Sequence, residues 1–562
     1  MLYKSSRGVE DKGLFTVIIG GKAGQGVKKA GEAVSKYFLK KRRYAFEMDD
    51  YQSLIRGGHN FVSVSSSTHE IFSHHMKAEV LVNLDKRSYD THREHLAPEG
   101  MNFFNSDEVK DGRGIGIPLT EMSKEFKRPG LILGVAGISI LTAVTGENKE
   151  FLRSLVEEIY PRGKQDNTEF SEMVYDDVVD KIDRTLELKE GDCSDNMFTG
   201  NTSVALGGAA AGLDLYFAYP MTPASTILHF YASHGEKFGV TAVHPESEIA
   251  VANMAIGATI AGARSMVGTS GGGFALMAEA FSLAGMIESP VLFVLSSRPG
   301  PATGAPTYTE QGDLGFALHQ GHGDFPRIVV SPGDMREAFY LTADMLSLVW
   351  KYQVPGILLT EKHLSESSMC MDVDPSGAST VEPRMHEGSG EYNRYSFTDD
   401  GISPLAFPPS QGIIKWNGEE HDPRGLTTSS AEGLAAMHEK RDKKRKAICD
   451  DIRKRRSVNV YGSGENVIFT YGSTTLSVRE ALRCSGIEAK VVQPIYLRPL
   501  PTWELKKHVD DRSIVVEQSV AQQFSTLLED KIGLEPKSVI KQYDGRPFEP
   551  VELAEKIQEA IR

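Results

Sequence analysis

The chain contains three stretches in which short apolar runs alternate with helical patterns. The first stretch opens with the apolar run LFTVIIGG (14–21), which is followed by a glycine-rich turn and a helical pattern over 27–41. A later run, AEVLVNL (78–84), is apolar almost throughout, as a strand covered on both faces is. These patterns predict a β–turn–α unit that opens a doubly wound sheet.

Two further stretches repeat this alternation. In the second, the apolar runs SMVGT (265–269) and VLFVLSS (291–297) alternate with helices rich in Ala and Gly, which can pack very closely. In the third, two strand-like runs flank a helical pattern. The sequence therefore predicts an α/β fold with three α/β domains, at 1–190, 198–365 and 461–562.

Residues 366–460 do not show this alternation of strand and helix patterns. Most of this segment is rich in Ser, Gly and Pro, which is typical of a long connector. Its last part, EKRDKKRKAICDDIRKRR (439–456), predicts a basic helix. Because runs of charge usually lie on a solvated face, we expect this helix to be exposed to water.

Composition and charge narrow the possible classes of function. The 562 residues include 62 Lys plus Arg and 76 Asp plus Glu, which gives a net charge of −14. A nucleic-acid-binding surface needs a basic patch, so this balance argues against a nucleic-acid partner. Apolar residues make up 40% and charged residues 25%, as in a globular protein rather than a disordered one.

The four cysteines, at 193, 370, 449 and 484, are too widely spaced for a metal or redox motif. Zinc ribbons, CxxC pairs and ferredoxin-type clusters need thiolates only a few residues apart. We therefore expect free thiols, a reducing compartment and no metal site on this chain.

The sequence indicates neither a secretory signal nor a membrane-spanning helix. The opening residues MLYKSSRGVEDKG lack the apolar segment of a secretory signal. The longest uncharged run, PGLILGVAGISILTAVTG (129–146), is glycine-rich and barely long enough to span a membrane, so it predicts a buried helix. These features predict a cytoplasmic protein without a membrane partner.

The glycine turn GGKAGQG (20–26) is a candidate anion site. Gly24 and Gly26 let backbone amides approach an anion at a helix N-terminus, where the helix dipole is favourable. Arg56, flanked by glycines in YQSLIRGGHN, could fix an anionic group nearby. The alternatives are a sterically tight turn without a ligand and a structural ion pair for Arg56.

Polar side chains follow the predicted strands of the second domain. Thr222 lies between two prolines in YPMTPAS, Arg298 ends a strand, and Thr303 follows five residues later. In doubly wound sheets the carboxyl ends of the strands face the ligand crevice, and a guanidinium matches a carboxylate. These residues predict a pocket for a small carboxylate substrate, although a rigid turn and a structural ion pair are the alternatives.

The same domain offers a carboxyl group and a glycine-rich turn. In HPESEIA, Glu246 is explained by the preference for acids in a first helical turn, and Glu248 directly precedes a buried helical pattern. A buried carboxyl could hold or share a proton. Gly271 and Gly272, in GTSGGGF, would let a flat ligand approach the backbone.

Taken in order, these motifs resemble a known family. GNTSVALGGAAAG, YPMTPAS, HPESEIA, GTSGGGF and RPGPATGAPT resemble the alpha subunit of the thiamine-diphosphate-dependent 2-oxoacid:ferredoxin oxidoreductases. GGKAGQG and YQSLIRGGHN resemble their gamma subunit. The resemblance implies a gamma–alpha fusion with a Rossmann-like gamma domain, a pyrimidine-binding-type doubly wound domain and a transketolase C-terminal-like domain.

The resemblance also implies roles for individual residues. Glu248 would contact N1′ of the cofactor's aminopyrimidine ring, with Gly271 and Gly272 beside the cofactor. Thr222 and Arg298 would hold the 2-oxoacid carboxylate, with Thr303 as a further hydroxyl in the pocket. A coenzyme A site at Gly24, Gly26 and Arg56 is our interpretation of the glycine turn.

The resemblance further implies partners, because two expected motifs are missing. The chain has neither the GDG and NN segment that binds the diphosphate through Mg²⁺ nor cysteines for an iron–sulfur cluster. In this family both belong to a separate beta subunit, which carries a [4Fe-4S] cluster. We therefore expect a heterodimer or heterotetramer that is active only as a complex.

The expected reaction is the coenzyme A-dependent oxidative decarboxylation of a 2-oxoacid to an acyl-CoA and CO2, with ferredoxin as electron acceptor. Within the family we favour 2-oxoglutarate as the substrate. The alternatives are a relative specific for pyruvate, branched-chain or aryl 2-oxoacids, and a subunit that serves only assembly.

Overall fold

The computed structural model describes residues 13–52, 58–388, 391–409 and 413–562. Within these ranges the chain forms three β-sheets, of eight, seven and five strands. Helices flank each sheet, so the predicted α/β fold with three α/β units is confirmed.

The first sheet is built mainly from the N-terminal part of the chain. Its strands, from one edge to the other, are Ile115–Ile117, Leu96–Asn105, Ala78–Asn83, Phe15–Lys22, His59–Ser67, Tyr44–Tyr51, Ser368–Met371 and Asn196–Thr199. The first four are parallel and the others pair in antiparallel fashion. Its helices are Val27–Lys40, Lys86–His92, Leu119–Ser123, Pro129–Ile132, Ala136–Val144, Lys149–Ile159 and Lys164–Lys181, with 3-10 turns at Arg93–His95 and Leu133–Val135.

Two strands of this sheet come from segments that the sequence places elsewhere. Ser368–Met371 belongs to the predicted connector, and its Cys370 pairs with Met197 of the strand Asn196–Thr199. Three of the four residues in SMCM are buried. The connector therefore runs back onto the first sheet and ties the first two units together.

The second sheet contains the candidate site. Its strands, in order, are Tyr496–Arg498, Ile328–Val330, Gly356–Glu361, Val291–Ser297, Ser265–Thr269, Leu215–Phe217 and Thr241–Val243. All are parallel except Tyr496–Arg498, which comes from the C-terminal part of the chain. Its helices are Gly200–Ala210, Ser225–Phe238, Glu248–Ile260, Gly271–Leu276, Ala278–Met286, Leu314–His319, Met335–Tyr352 and Lys362–Glu366.

Small residues let these helices pack closely, as the sequence predicts. A Cβ atom on Gly207 would lie 2.1 Å from the carbonyl oxygen of Phe339. The helix Gly200–Ala210 therefore rests directly on the backbone of Met335–Tyr352, which only glycine at this position allows.

The third sheet forms the C-terminal unit. Its strands, in order, are Val458–Tyr461, Ala489–Pro494, Asn466–Phe469, Ile514–Glu517 and Ser538–Lys541. Its helices are Thr474–Ser485, Thr502–Leu505, Gln523–Ile532 and Pro550–Ile561, with a 3-10 turn at Lys506–His508. The connector adds a 3-10 turn at Pro375–Gly377 and the long helix Ala431–Ile452, which contains most of the predicted basic helix.

The prediction that the basic helix is exposed to water is wrong for one of its faces. Lys440 and Lys444 are buried and both donate to the carboxylate of Glu288, with Nζ–Oε distances of 2.6 Å. Arg441, also buried, donates to Glu420 at 2.6 Å. Ion pairs thus hold the helix against the second unit. The charges along the sequence do not by themselves show which of them are buried in such pairs.

The thiols are free, as predicted. Cys193 and Cys370 are buried, and Cys449 and Cys484 are half-buried. The uncharged run 129–146 forms a short helix, Pro129–Ile132, that is mostly exposed, a 3-10 turn and the fully buried helix Ala136–Val144. No helix in the described ranges combines the length and the apolar character needed to cross a membrane.

Candidate active site

Four neighbouring parallel strands of the second sheet end at the same edge. In spatial order they are Val291–Ser297, Ser265–Thr269, Leu215–Phe217 and Thr241–Val243. The segments that follow them carry, in the same order, the predicted site residues Arg298, Gly271 and Gly272, Thr222, and Glu248. Since the carboxyl ends of parallel strands line the ligand crevice of such a sheet, the topology brings these residues together.

Glu248 is the first residue of the helix Glu248–Ile260. Ser247 caps this helix, because its hydroxyl accepts a hydrogen bond from the Ala250 amide at 3.3 Å. Glu246 lies before the cap and is exposed, so neither glutamate is needed to cap the helix. Glu248 itself is only 6% exposed.

Glycine makes room for this carboxylate. A Cβ atom on Gly273 would lie 2.9 Å from Glu248 Cγ and 3.2 Å from its Oε1. Within the described ranges the Glu248 carboxylate accepts no hydrogen bond. The side chain is therefore buried at a helix N-terminus, beside a glycine turn, with its acceptor capacity free.

The turn after Ser265–Thr269 is open on one side and covered on the other. The atom nearest to a Cβ on Gly272 would be the Ala302 carbonyl oxygen, at 3.6 Å, which leaves room for a flat ligand. A Cβ on Gly271 would meet the Asp313 carboxylate at 2.7 Å. The hydroxyl of Ser270 in the same turn is buried and has no hydrogen-bond partner.

Arg298 forms no ion pair with the residues that the structure describes, although a structural ion pair was the alternative interpretation. Among the described residues its contact is a hydrogen bond from Nη1 to the carbonyl oxygen of Thr222, at 2.7 Å. Burial lowers the pKa of Arg298, and the nearby Asp313 opposes that shift. The Thr222 backbone therefore orients the guanidinium and leaves its other N–H groups available.

Thr303 lies on an exposed loop after Arg298. The preceding residue, Ala302, is the one whose carbonyl oxygen lies closest to the Gly272 position. The loop thus reaches the glycine turn, although the structure gives the Thr303 hydroxyl no partner within the described ranges.

Sequence reasoning missed Asp313. Its position directly before the helix Leu314–His319 is typical of a capping residue, yet its side chain makes no capping hydrogen bond. Instead the carboxylate lies against Gly271, and burial raises its pKa while Ser297 and Arg298 lower it. The signal in the sequence was its place in TEQGDL, on the segment that follows Arg298.

Exposed apolar side chains lie beside Glu248. Ile249 is 54% exposed and Met254 45% exposed on the helix Glu248–Ile260, and Leu276 is 55% exposed on the adjacent helix. We call these three residues the apolar rim. Exposed apolar side chains mark a binding interface where they lie together on the surface.

The N-terminal glycine turn is formed as predicted. Gly24 and Gly26 both adopt positive φ angles, of 98° and 75°, and a Cβ on Gly24 would meet no atom within 4 Å. The amides of Lys22, Ala23 and Gln25 are bonded inside the protein, so an anion would have to be held by the amides of Gly24 and Gly26. Arg56 lies outside the described residues.

Two family models match the chain. The model described as pyruvate flavodoxin/ferredoxin oxidoreductase, thiamine diphosphate-binding, matches residues 207–432 and so includes the crevice. The model described as pyruvate ferredoxin/flavodoxin oxidoreductase matches residues 16–176.

Named relatives agree with these matches. The 2-oxoacid:ferredoxin oxidoreductase subunit alpha of Sulfolobus sp is 30% identical over 97% of this chain and 96% of its own length. The 2-oxoglutarate synthase subunit KorA of Archaeoglobus fulgidus is 38% identical over 30% of this chain and 50% of its own length.

A solved structure has the same fold over almost the whole chain. It is the 2-oxoglutarate:ferredoxin oxidoreductase from Magnetococcus marinus with 2-oxoglutarate, coenzyme A and succinyl-CoA bound. The TM-score is 0.88 at 27% identity, and the match covers 98% of this chain and 100% of that one.

Proposed function

Because the chain belongs to the 2-oxoacid:ferredoxin oxidoreductase family and aligns with its alpha subunits, we propose that it is the fused gamma–alpha subunit of such an enzyme. The enzyme would convert a 2-oxoacid, coenzyme A and oxidised ferredoxin into an acyl-CoA, CO2 and reduced ferredoxin. The observation that carries this proposal is the convergence of Glu248, Thr222 and Arg298 at one edge of the second sheet.

The fusion is supported by the order of the matched segments. Residues 16–176 and 207–432 match two different family models within a single chain. The relative from Sulfolobus sp aligns across both segments. One polypeptide would therefore do the work of a gamma and an alpha subunit.

The residues of the crevice fit thiamine diphosphate. Among the described residues, Glu248 is a buried residue whose carboxylate accepts no hydrogen bond, and Ser270 offers a buried hydroxyl without a hydrogen-bond partner. The open side of Gly272 leaves space for a flat ring. When bound, the cofactor supplies the electron sink for decarboxylation.

This chain would contribute a proton site and a substrate clamp. Glu248 would hydrogen-bond the aminopyrimidine ring and hold or pass a proton at its carboxyl oxygen. Arg298, oriented by the Thr222 carbonyl, would hold the 2-oxoacid carboxylate through its free N–H groups. The exposed Thr303 would add a hydroxyl on the loop.

A separate beta subunit would complete the site. The exposed side chains of the apolar rim fit a surface that a partner subunit covers. The beta subunit would bring the diphosphate site with Mg²⁺ and the [4Fe-4S] cluster that passes electrons to ferredoxin. Coenzyme A would reach the crevice from the N-terminal unit, with an anionic group at Gly24 and Gly26.

We favour 2-oxoglutarate as the substrate. The Magnetococcus marinus enzyme that matches 98% of this chain has 2-oxoglutarate bound, and the Archaeoglobus fulgidus relative is a 2-oxoglutarate synthase subunit. Pyruvate, branched-chain and aryl 2-oxoacids are the competing substrates.

The test is a substrate panel with the purified complex. Coenzyme A-dependent ferredoxin reduction should be observed, with the highest kcat/KM for 2-oxoglutarate among the four acid classes. Highest kcat/KM for another acid would correct the substrate and keep the reaction. Absence of turnover with every acid, in a complex that contains thiamine diphosphate, would contradict the proposed function.

A further inference from the structure

The third unit contacts a segment that lies against the glycine turn of the crevice. In this segment, QGDLG (311–315), the backbone on both sides of Asp313 is bonded to one side chain. Gln523, which opens a helix of the third unit, donates from Nε2 to the Gly312 carbonyl oxygen at 2.6 Å. Its Oε1 accepts a hydrogen bond from the Gly315 amide at 2.7 Å. The Gln523 side chain therefore bonds, as donor and as acceptor, to a segment of the second unit.

Gln311 makes a second connection between the same two units, and it is only 2% exposed. Its backbone amide donates to the Gln518 carbonyl oxygen at 2.8 Å, and its Nε2 donates to the Tyr471 carbonyl oxygen at 2.9 Å. Its Oε1 accepts from the Thr474 hydroxyl at 2.9 Å and from the Gln518 amide at 3.0 Å. All three of these partners belong to the third unit. We call Gln311 and Gln523 together the glutamine bridge.

The bridged segment continues onto the glycine turn through three contacts. Asp313 Oδ2 lies 2.7 Å from the position of a Cβ atom on Gly271, the first residue of the helix that follows the turn. Phe316 packs edge-on against Phe274 of that helix, with ring centroids 5.5 Å apart. Gln320 donates from Nε2 to the Phe274 carbonyl oxygen. A continuous series of contacts thus runs from the third unit to the turn where a flat ligand has room.

Protein carboxylates already occupy two helix N-termini of the third unit. Glu517 accepts from two amides in the first turn of the helix Gln523–Ile532, at 3.0 and 3.1 Å. Glu361 accepts from the Ser473 amide at 2.9 Å, where the helix Thr474–Ser485 begins. An anionic ligand would otherwise be attracted to these positions. Their occupation favours a supporting role for the third unit over an anion site at either helix.

We propose that the glutamine bridge positions the glycine turn for thiamine diphosphate, which makes the third unit a positioning part of the active site. This inference rests on the proposed function of the crevice. The bridged segment contains three residues between two glycines and their neighbours, and glycine leaves a backbone much conformational freedom. Hydrogen bonds that hold this backbone in place lower the cost of ordering it when the cofactor binds. Gln311 and Gln523 act through the segment and are positioning residues.

The test introduces Gln523→Met into the assembled complex. Methionine keeps the length of the side chain and loses both hydrogen bonds. Hydrogen–deuterium exchange should become faster in peptides that cover 311–320 and 271–276. The Kd of the cofactor-free complex for thiamine diphosphate should rise several-fold, and by at most about a hundredfold for two hydrogen bonds. The KM for ferredoxin should stay native, because this contact series does not involve electron transfer. Gln558→Met, an exposed change in the same unit, should leave all three measurements native.

A second variant covers the case in which Gln523→Met does not assemble. Thr474→Val keeps the shape of the side chain and removes one donor to Gln311, so it should change exchange and cofactor Kd in the same direction by a smaller factor. A native Kd in variants whose 311–320 peptide exchanges faster would overturn the inference, because the bridge would then serve folding alone. Native exchange at the glycine turn would overturn it too. A native complex that does not bind thiamine diphosphate would instead contradict the proposed function.

Discussion

Two buried clusters of charge in the second unit are built in opposite ways. Around Glu288, Lys440 and Lys444 donate at 2.6 Å to the carboxylate, and Arg394 donates to the Glu288 carbonyl oxygen at 3.0 Å. In the crevice, the described residues give no hydrogen bond to the carboxylate of the buried Glu248 or to the buried Oδ2 of Asp313. The carboxylate of the first cluster is paired with two lysines, whereas the acids of the second have no such pairing among the described residues.

This difference suggests that the paired cluster serves the stability of the fold and the unpaired one serves function. A paired buried charge holds two segments in register, and removal of one partner leaves the others uncompensated. An unpaired buried acceptor costs stability, and natural proteins keep such groups where a ligand will use them. We therefore expect substitutions at Glu288 to affect folding and substitutions at Glu248 and Arg298 to affect turnover.

The largest effect should come from Glu248→Gln. Glutamine keeps the shape of the side chain and cannot hold or pass a proton, so kcat should fall by about 10²- to 10⁴-fold. Steady-state ferredoxin reduction by the purified complex measures this. Glu246→Gln, two residues away and exposed, should keep the native rate. Native kcat in an assembled Glu248→Gln complex would support the alternative of a subunit that serves only assembly.

Glu288→Gln should break the paired cluster. It leaves two buried lysines and Arg394 without their counter-charge, so the free energy of unfolding should fall by roughly 3–5 kcal/mol. Urea denaturation followed by tryptophan fluorescence, to which Trp416 at 4.2 Å from the Arg394 guanidinium contributes, reports the loss. Arg445→Ala, an exposed change on the same helix, should cost no more than about 1 kcal/mol. Similar losses in both variants would mean that the buried ion pairs do not hold the helix.

Arg298→Lys should weaken substrate binding. Lysine keeps the charge and loses the planar fork, together with the hydrogen bond to the Thr222 carbonyl. The loss of charge-assisted hydrogen bonds of roughly 1.5–3 kcal/mol should raise KM about ten- to a hundredfold. The ratio of the variant's KM for the 2-oxoacid to that of the native enzyme measures this loss. An unchanged KM would mean that Arg298 does not bind the substrate carboxylate.

The smallest effect is an acid dependence of stability. Burial alone raises the pKa of Glu288, but Lys440, Lys444 and Arg394 together hold it well below the ordinary 4.5. A depressed carboxyl pKa stabilises the fold above the ordinary value, and this contribution is lost as pH falls below it. The stability difference between the native protein and Glu288→Gln should therefore shrink by up to about 1.4 kcal/mol per pH unit below 4.5. Urea titrations at several acidic pH values test this, and a constant difference would contradict it.

Much of the fold and of the crevice follows from sequence patterns. Apolar runs locate the strands, and the strand-end rule brings Thr222, Glu248 and Arg298 to one edge. Local patterns could not show that Ser368–Met371 joins the first sheet or that Tyr496–Arg498 joins the second, because such pairing depends on distant segments.

The two clusters show the same limit at the level of side chains. Lys440 and Lys444 are typical surface residues by composition, and only their partner, more than 150 residues away in the sequence, buries them. Asp313 has the position of a helix cap, and only the close approach of Gly271 reveals that it faces the crevice. Contacts between distant segments decide both cases.

The central claim is that this chain provides one half of a shared active site. The most direct test is coenzyme A-dependent ferredoxin reduction from 2-oxoglutarate by the purified chain alone and after addition of its beta subunit. The account predicts no turnover by the isolated chain and turnover on reconstitution. Full activity of the isolated chain, loaded with thiamine diphosphate, would contradict it.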